Sequence, residues 1–262
     1  MSRISDYKSS PLDLFVSTGL SSSQDTSLAT IVGVKFTSAD GRGFVLVQNG
    51  ASAIASGLLV QGPATIGANH IGMAIFAAAA TGATSISATL GGTATTANQY
   101  AGGLAVISAG TGIGQTLKIA SNTATGTSGV ATFVLEDPLS KNIDTSTSKL
   151  TISLNPYGSA NGAAITTHGV IVSPSGASTG QIVGVTVGPI AASSSTAANF
   201  AFIQSYGPVA CLSQGGGTAG LGVMVGAYNG SVATQVVATQ AQIGQNINTA
   251  EDQKAQLIKI NL

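Results

Sequence analysis

Charge is what this sequence has least of. Only 7% of its 262 residues are Asp, Glu, Lys or Arg, where an average globular chain carries about a quarter. Nine acidic and nine basic residues balance to a formal net charge of zero. That excludes a basic nucleic-acid footprint and a polybasic membrane patch, so neither nucleic acid nor membrane is expected as a partner. Trp is absent and aromatics reach only 5%, so the core has to be built from Val, Ile, Leu and Ala. A single cysteine, Cys211, excludes an internal disulfide framework and a cysteine-based zinc site. Its expected role is that of a small buried apolar side chain. The first residues, MSRISDYKSSPLDLF, lack the apolar core of a signal peptide. The longest apolar run, IGMAIFAAAA (71–80), is too short to span a bilayer. Asn229-Gly230-Ser231 reads as a turn rather than a glycosylation acceptor. Synthesis in the cytoplasm of a host cell is the expectation.

The few charges are also unevenly placed. From Gly43 to Leu117 there is none, and from Leu150 to Ala250 there is none again. A monomer needs charged surface to stay soluble, and a net charge near zero promotes association. Low charge can mark disorder, but disordered chains are poor in apolar residues, and 44% of this one is hydrophobic. A surface coated in Ser, Thr, Asn and Gln is a further option. The reading favoured here is a surface largely covered by neighbouring protein.

What the chain does have is short apolar or alternating runs. IVGVKF, GFVLVQ, GLLVQ, TSISATL, GLAVIS, TLKIA, VATFVLE, KLTISL, GVIVS, QIVGVTV, FAFIQS, LGVMVGAY and AQLIKINL follow one another. Turn signals separate them, among them Asp40-Gly41, Asn49-Gly50, Asp137-Pro138, Gly207-Pro208 and Asn229-Gly230. Strands at this spacing predict an all-β chain of short antiparallel strands, forming one or two β-barrel or β-sandwich modules. No segment sustains a 3.6-residue apolar period over three turns, so helix should be scarce. Even the Ala-rich piece at 71–80 is read as strand.

Composition divides the chain into four parts. Residues 1–30 are polar and Ser-rich, an extended N-terminal arm with isolated apolar residues at Leu12, Leu14, Phe15 and Val16. Residues 31–81 read as the first part of a β domain, 82–155 as an inserted β-rich module, and 156–262 as a C-terminal β domain. Whether the two flanking stretches form one domain is open at this level.

The stretch AGTGIGQTLKI (109–119) poses the one cofactor question, with glycines at 110, 112 and 114 after an apolar run. A dinucleotide fingerprint needs G-x-G-x-x-G opening a helix, whose free N–H groups hold the pyrophosphate. Here the spacing is G-x-G-x-G and TLKIA follows with a two-residue period, which reads as strand, glycine turn, strand. Glu136 falls where a ribose-binding acid would sit, but it belongs to VLEDPL, a strand running into a turn. No cofactor is expected.

Catalytic groups are similarly sparse. His70 and His168 lie in apolar or turn contexts, and no G-x-S-x-G elbow occurs. Adjacent carboxylates occur as Glu136-Asp137 and Glu251-Asp252. Neighbouring strand residues point to opposite faces, so such pairs suit neither a glycosidase nor a metal cage. The chain is therefore read as no enzyme, with no catalytic, cofactor or metal site.

One resemblance can be stated on these residues. TSISATLGGTATTANQYAGGLAVISAGTGIGQTLKIASNTA, then FVLEDPL and KLTISLNPYG, resembles a segment of tailed-bacteriophage virion proteins encoded near the major capsid protein. The shared features are the NQYAGG turn, the glycine-rich hairpin, the acid before Asp-Pro-Leu and the closing Asn-Pro-Tyr. FAFIQSYGPVACLSQGG, GLGVMVGAYNGSV and AQIGQNINTAEDQKAQLIKINL are similar to small β-barrel capsid-associated modules. The likeness covers 82–262, and the chain departs from the acidic composition usual in those proteins.

The resemblance implies a capsid decoration, or cement, protein on the outside of a phage head. It would bridge major capsid protein subunits and form a homo-oligomer, with a trimer as one option. Leu12, Leu14, Phe15 and Val16 are the candidate interface anchors of the arm. A tail, baseplate or head-fibre subunit, a glycan-binding β module and a serine hydrolase are the competing readings.

Overall fold

The computed structural model describes residues 24, 26–64, 70–158, 168–175, 178–215, 220–226, 228–234, 242–248 and 253–262. Leu12, Leu14, Phe15 and Val16 lie outside the described residues, as do Glu251 and Asp252. The chain is all-β. Sixteen strands are present among the described residues and no α-helix. In chain order they are β1 Lys35–Thr37, β2 Gly43–Gln48, β3 Leu59–Gln61, β4 Met73–Ala74, β5 Ser85–Thr89, β6 Leu104–Ala109, β7 Thr116–Asn122 and β8 Val130–Leu135. The second half comprises β9 Lys149–Ile152, β10 Ile171–Val172, β11 Ile182–Thr186, β12 Phe200–Leu212, β13 Gly222–Val225, β14 Val232–Thr234, β15 Gly244–Asn246 and β16 Ala255–Asn261.

Two curled antiparallel sheets result. Six strands, in the order β4-β9-β6-β7-β8-β5, form a nearly closed barrel. An Ile75–Ala88 bridge joins its first strand to its last, and the Phe76 N–H donates to the Ser87 carbonyl at 2.8 Å. Period-two alternation fills the barrel. In β7, Leu117 and Ile119 point inward while Thr116 and Lys118 point out, and Ile86, Ile107, Phe133 and Leu150 meet them in the interior. The other ten strands form a half-barrel, which draws strands from both sides of the barrel segment.

Within the half-barrel, β2 is buried along its whole length because both faces are covered. Val45 and Val47 join Ile203 on the inner face, while Phe44 and Leu46 join Phe200 and Phe202 on the outer one. The outer cover is the segment 26–37. It opens with a 3-10 turn, Thr26–Ile31, that buries Leu28, and ends with Phe36 stacked on Phe44 and edge-on to Phe202. The last residues of the predicted extended arm are thus packed against the sheet.

Two local expectations are corrected. Gly207-Pro208 is no turn: β12 runs straight through it for thirteen residues. The strand bulges between Gln204 and Tyr206 and changes partner there from β2 to β16. The Gln204 side chain spans the irregularity, donating to the carbonyls of Tyr206 at 3.0 Å and Pro208 at 2.7 Å. A bulge is where a sheet tolerates proline. The Ala-rich piece at 71–80 contributes only β4 and isolated bridges at Ile75 and Ala79, because most of its small side chains face solvent and give nothing to pack.

The glycine-rich stretch is the predicted hairpin, β6–turn–β7. Its cradle is filled by its own chain. Gln115 donates to the carbonyls of Gly112 and Lys141, and the Ser148 hydroxyl donates to the Thr111 carbonyl at 2.7 Å. Gly110 and Gly114 both have positive φ, yet a Cβ at Gly110 would fall 2.2 Å from the Thr147 backbone, whereas one at Gly114 meets nothing within 4 Å. Gly114→Ala should therefore cost only the left-handed backbone term, about 1–2 kcal/mol. Gly110→Ala should cost clearly more, as read from denaturant midpoints of the two variants.

Candidate functional site

No constellation with the geometry of an active site is assembled among the described residues. His70 and Tyr100 come closest. The Tyr100 hydroxyl and His70 Nδ1 are hydrogen-bonded, their rings stand edge to face, and Tyr100 leans on Phe133. Both residues are only 1% exposed at the end of the barrel core, which leaves no room for a substrate. Burial lowers the His70 pKa, with an opposing contribution from the Thr93 backbone, and raises that of the Tyr100 hydroxyl. His168 sits half-buried just before β10. Cys211 is fully buried on β12, and burial pushes its thiol up to about 12. Among the described residues no group of three or more His, Cys, Asp or Glu is placed to hold a metal ion.

Among the described carboxylates, Asp40 and Asp144 fix turns, and Asp40 and Glu136 pair with cations. The Ser38 hydroxyl and Arg42 hold Asp40 down at about 2. The Thr111 hydroxyl and the Thr147 amide likewise lower Asp144, whose Oδ1 also accepts from the Ser146 amide at 2.9 Å. Glu136 forms an ion pair with Lys118 at 2.9 Å across neighbouring strands, so the acid that follows the glycine stretch is neutralised on the barrel exterior.

That pair lines a cleft of about 680 Å³ between barrel and half-barrel. Leu104, Lys118 and Glu136 form one wall; Ile31, Val34 and Tyr157 belong to the other. Its cation and anion satisfy each other, and the remaining lining is mainly apolar. This chemistry suits packing against protein better than holding a charged small molecule.

Two exposed apolar surfaces complete the description. On the barrel, Ile71, Phe76 and Ile113 are 62%, 59% and 58% exposed. Phe76 borders the β5–β8 face, where Ser85, Ser87, Thr89 and Thr132 point outward together with Val130 and Val134, and Ser87 and Thr132 are hydrogen-bonded at 3.1 Å. The hydroxyl-coated surface considered from composition is thus present on this face. On the half-barrel, the face of β12 and β16 turned away from Val209, Cys211 and Ile258 carries Tyr206, Pro208, Ala210 and Leu257 uncovered.

Sequence reasoning missed both surfaces. Phe76 sat inside an Ala-rich run taken as strand. The off-phase Ala210 and Leu257 in VACL and AQLIKIN alternate with core residues, and that phase was the available signal. Set against protein-family models, curated proteins and solved structures, the chain matches none.

The buried histidine generates a pH dependence. Its folded pKa lies below the unfolded value of 6.5, so below that value the unfolded chain binds a proton that the folded chain refuses. Stability should fall as pH drops from 7.5 through 6.5, until the lowered folded pKa is reached. Urea midpoints at pH 7.5 and 5.5 should differ for the parent chain and converge in His70→Gln. An equal loss in that variant would assign the effect elsewhere.

Proposed function

We propose that this chain is a structural virion protein: a decoration protein on the outside of a tailed-phage head, bridging major capsid protein subunits. The observation that carries this reading is the barrel exterior, where Ile71, Phe76 and Ile113 stand out to solvent and the uncharged β5–β8 face adds Val130 and Val134 among its hydroxyls. Such a surface gains by contact with protein. Burying the exposed parts of Ile71 and Phe76 contributes about 2–3 kcal/mol per copy, and repetition over a symmetric shell multiplies it. The neutral surroundings add no desolvation cost for unpaired charge. The sequence likeness over 82–262 supplies the shell as the partner. A barrel and a half-barrel suit a bridging role that needs rigid modules rather than a catalytic centre.

The test is cosedimentation with empty phage heads. Ile71→Asp combined with Phe76→Asp should abolish occupancy with the melting temperature unchanged, because both side chains are already solvated in the free protein. Binding by the parent chain should persist at high salt, since screening removes only charge-dependent contacts. Undiminished occupancy of the double variant, or loss of parent binding in moderate salt, overturns the reading. A tail, baseplate or head-fibre position would instead show as copies confined to one vertex in a particle map.

A further inference from the structure

β1 lies at the margin of the ten-stranded sheet and pairs with β2 alone. The ladder fixes which of its backbone groups are left over. The Leu46 N–H donates to the Val34 carbonyl and the Ser38 N–H to the Arg42 carbonyl. With a period of two, the residues bonded to β2 are therefore Val34, Phe36 and Ser38. Lys35 and Thr37, both exposed, turn their N–H and C=O groups away from β2, and no described residue takes them. At its Val34 end this open edge reaches the cleft between barrel and half-barrel, where Val34, Leu104 and Ile31 are 44%, 43% and 41% exposed. The two sides of β1 differ. Phe36 lies with Phe44 and Phe202 on one. Lys35 is on the other, its ammonium 5.9 Å from the centre of the Tyr157 ring and in neither ion pair found among the described residues.

We propose that Leu12–Val16 of the same chain add to this edge as an antiparallel strand, with Asp13 opposite Thr37 and Phe15 opposite Lys35. The inference is independent of the virion reading and goes beyond it. In this register Asp13 and Phe15 present the backbone groups that Lys35 and Thr37 lack as partners. Alternation then gives both faces of the added strand a neighbour. Leu14 falls opposite Phe36 and Val16 beside Val34, which extends the apolar side. On the other side Phe15 stands beside Lys35, and Asp13 stands diagonal to it, within reach of a long side chain. A shift to Asp13 opposite Lys35 would set Pro11 against Thr37, whose carbonyl would then face a residue without an N–H. In the chosen register Pro11 comes before the first paired residue, a position that sheets accept.

The reach is sufficient. Val16 would stand about 4.8 Å from Val34 across the new ladder. Thr26 begins the six-residue 3-10 turn that leads to Val34, so it lies within about 22 Å of that strand end. The linker Ser17–Asp25 can span about 30 Å when extended.

A second copy is the other source of an extended strand. Pairing β1 with its own copy over its full length sets Lys35 opposite or diagonal to the other Lys35, a like-charge cost. The arm brings a carboxylate instead. Its tether also gives it an effective concentration that a separate copy does not match in dilute solution. The arm's apolar residues then serve first to close the fold's own sheet edge.

Disulfide trapping in the full chain tests the register. Directly opposed residues of an antiparallel pair have the Cα separation that a disulfide needs. Asp13→Cys combined with Thr37→Cys should close an intramolecular bond under mild oxidation, seen as a faster-running monomer on a non-reducing gel. Cys211 is fully buried and does not compete. Leu12→Cys or Leu14→Cys combined with Thr37→Cys should close about tenfold more slowly, because those side chains leave by the opposite face. No closure, equal rates at the three positions, or cross-linked dimers in place of the monomer would overturn the proposal. Amide exchange gives an independent reading. The Lys35 and Thr37 N–H groups should exchange about tenfold faster or more when Asp13→Pro and Phe15→Pro are introduced together, while Phe36, bonded to β2, stays unchanged. Fast exchange of Lys35 and Thr37 in the parent chain, or no difference between the two proteins, counts against it.

Discussion

The half-barrel depends on one strand whose backbone groups must all find partners. A buried N–H or carbonyl left unpaired costs about 1–3 kcal/mol, and β12 runs thirteen residues through the middle of the ten-stranded sheet. It draws on three partners, β2 along its first half, β11 at Ile203 and Gln204, and β16 along its second half, with the change from β2 to β16 made at a bulge. Because β2 precedes the barrel segment and β16 ends the chain, this strand holds the two flanks in a single sheet. The barrel is then an excursion between β3 and β10, and the clefts at its base follow from that connectivity.

The shortage of ions has a counterpart inside the molecule. Where many proteins would place buried ion pairs, this one uses side-chain amides and hydroxyls. Gln61 donates to the Thr179 hydroxyl at 2.8 Å and accepts from the Thr179 amide at 3.0 Å. Asn49 donates to the carbonyls of Ser52 and Ala191, and Asn122 ties the Thr95–Tyr100 turn to the barrel. Neutral groups carry a smaller desolvation penalty than charges, so such clips fix loops at little cost. The same choice recurs outside on the β5–β8 face, where hydroxyls and apolar side chains stand without charge.

Much of this was legible in local pattern. GFVLVQ, SISAT, LAVIS, TLKIA, VATFVL and KLTI are strands because alternation and β-branched content leave little else for them. The glycine hairpin at 109–119 was legible too, since a two-residue period after the last glycine excludes a helix there. Gly207-Pro208 was misread because a turn signal is local, whereas the groups that rescue it are Gln204 and the neighbouring strands. The exposed surfaces were hidden for a related reason: Phe76 and Leu257 read like any apolar residue until their neighbours are known.

The sequence by itself determined the strand content, the β6–β7 turn, the burial of Cys211 and the scarcity and balance of charge. Each of these rests on residue type and on spacing within a few positions. Tertiary structure alone decided which strands share a sheet, where β12 changes partner, and which apolar residues remain outside. Those outcomes depend on pairing between residues far apart in the chain, and local periodicity carries no record of the partner across the sheet.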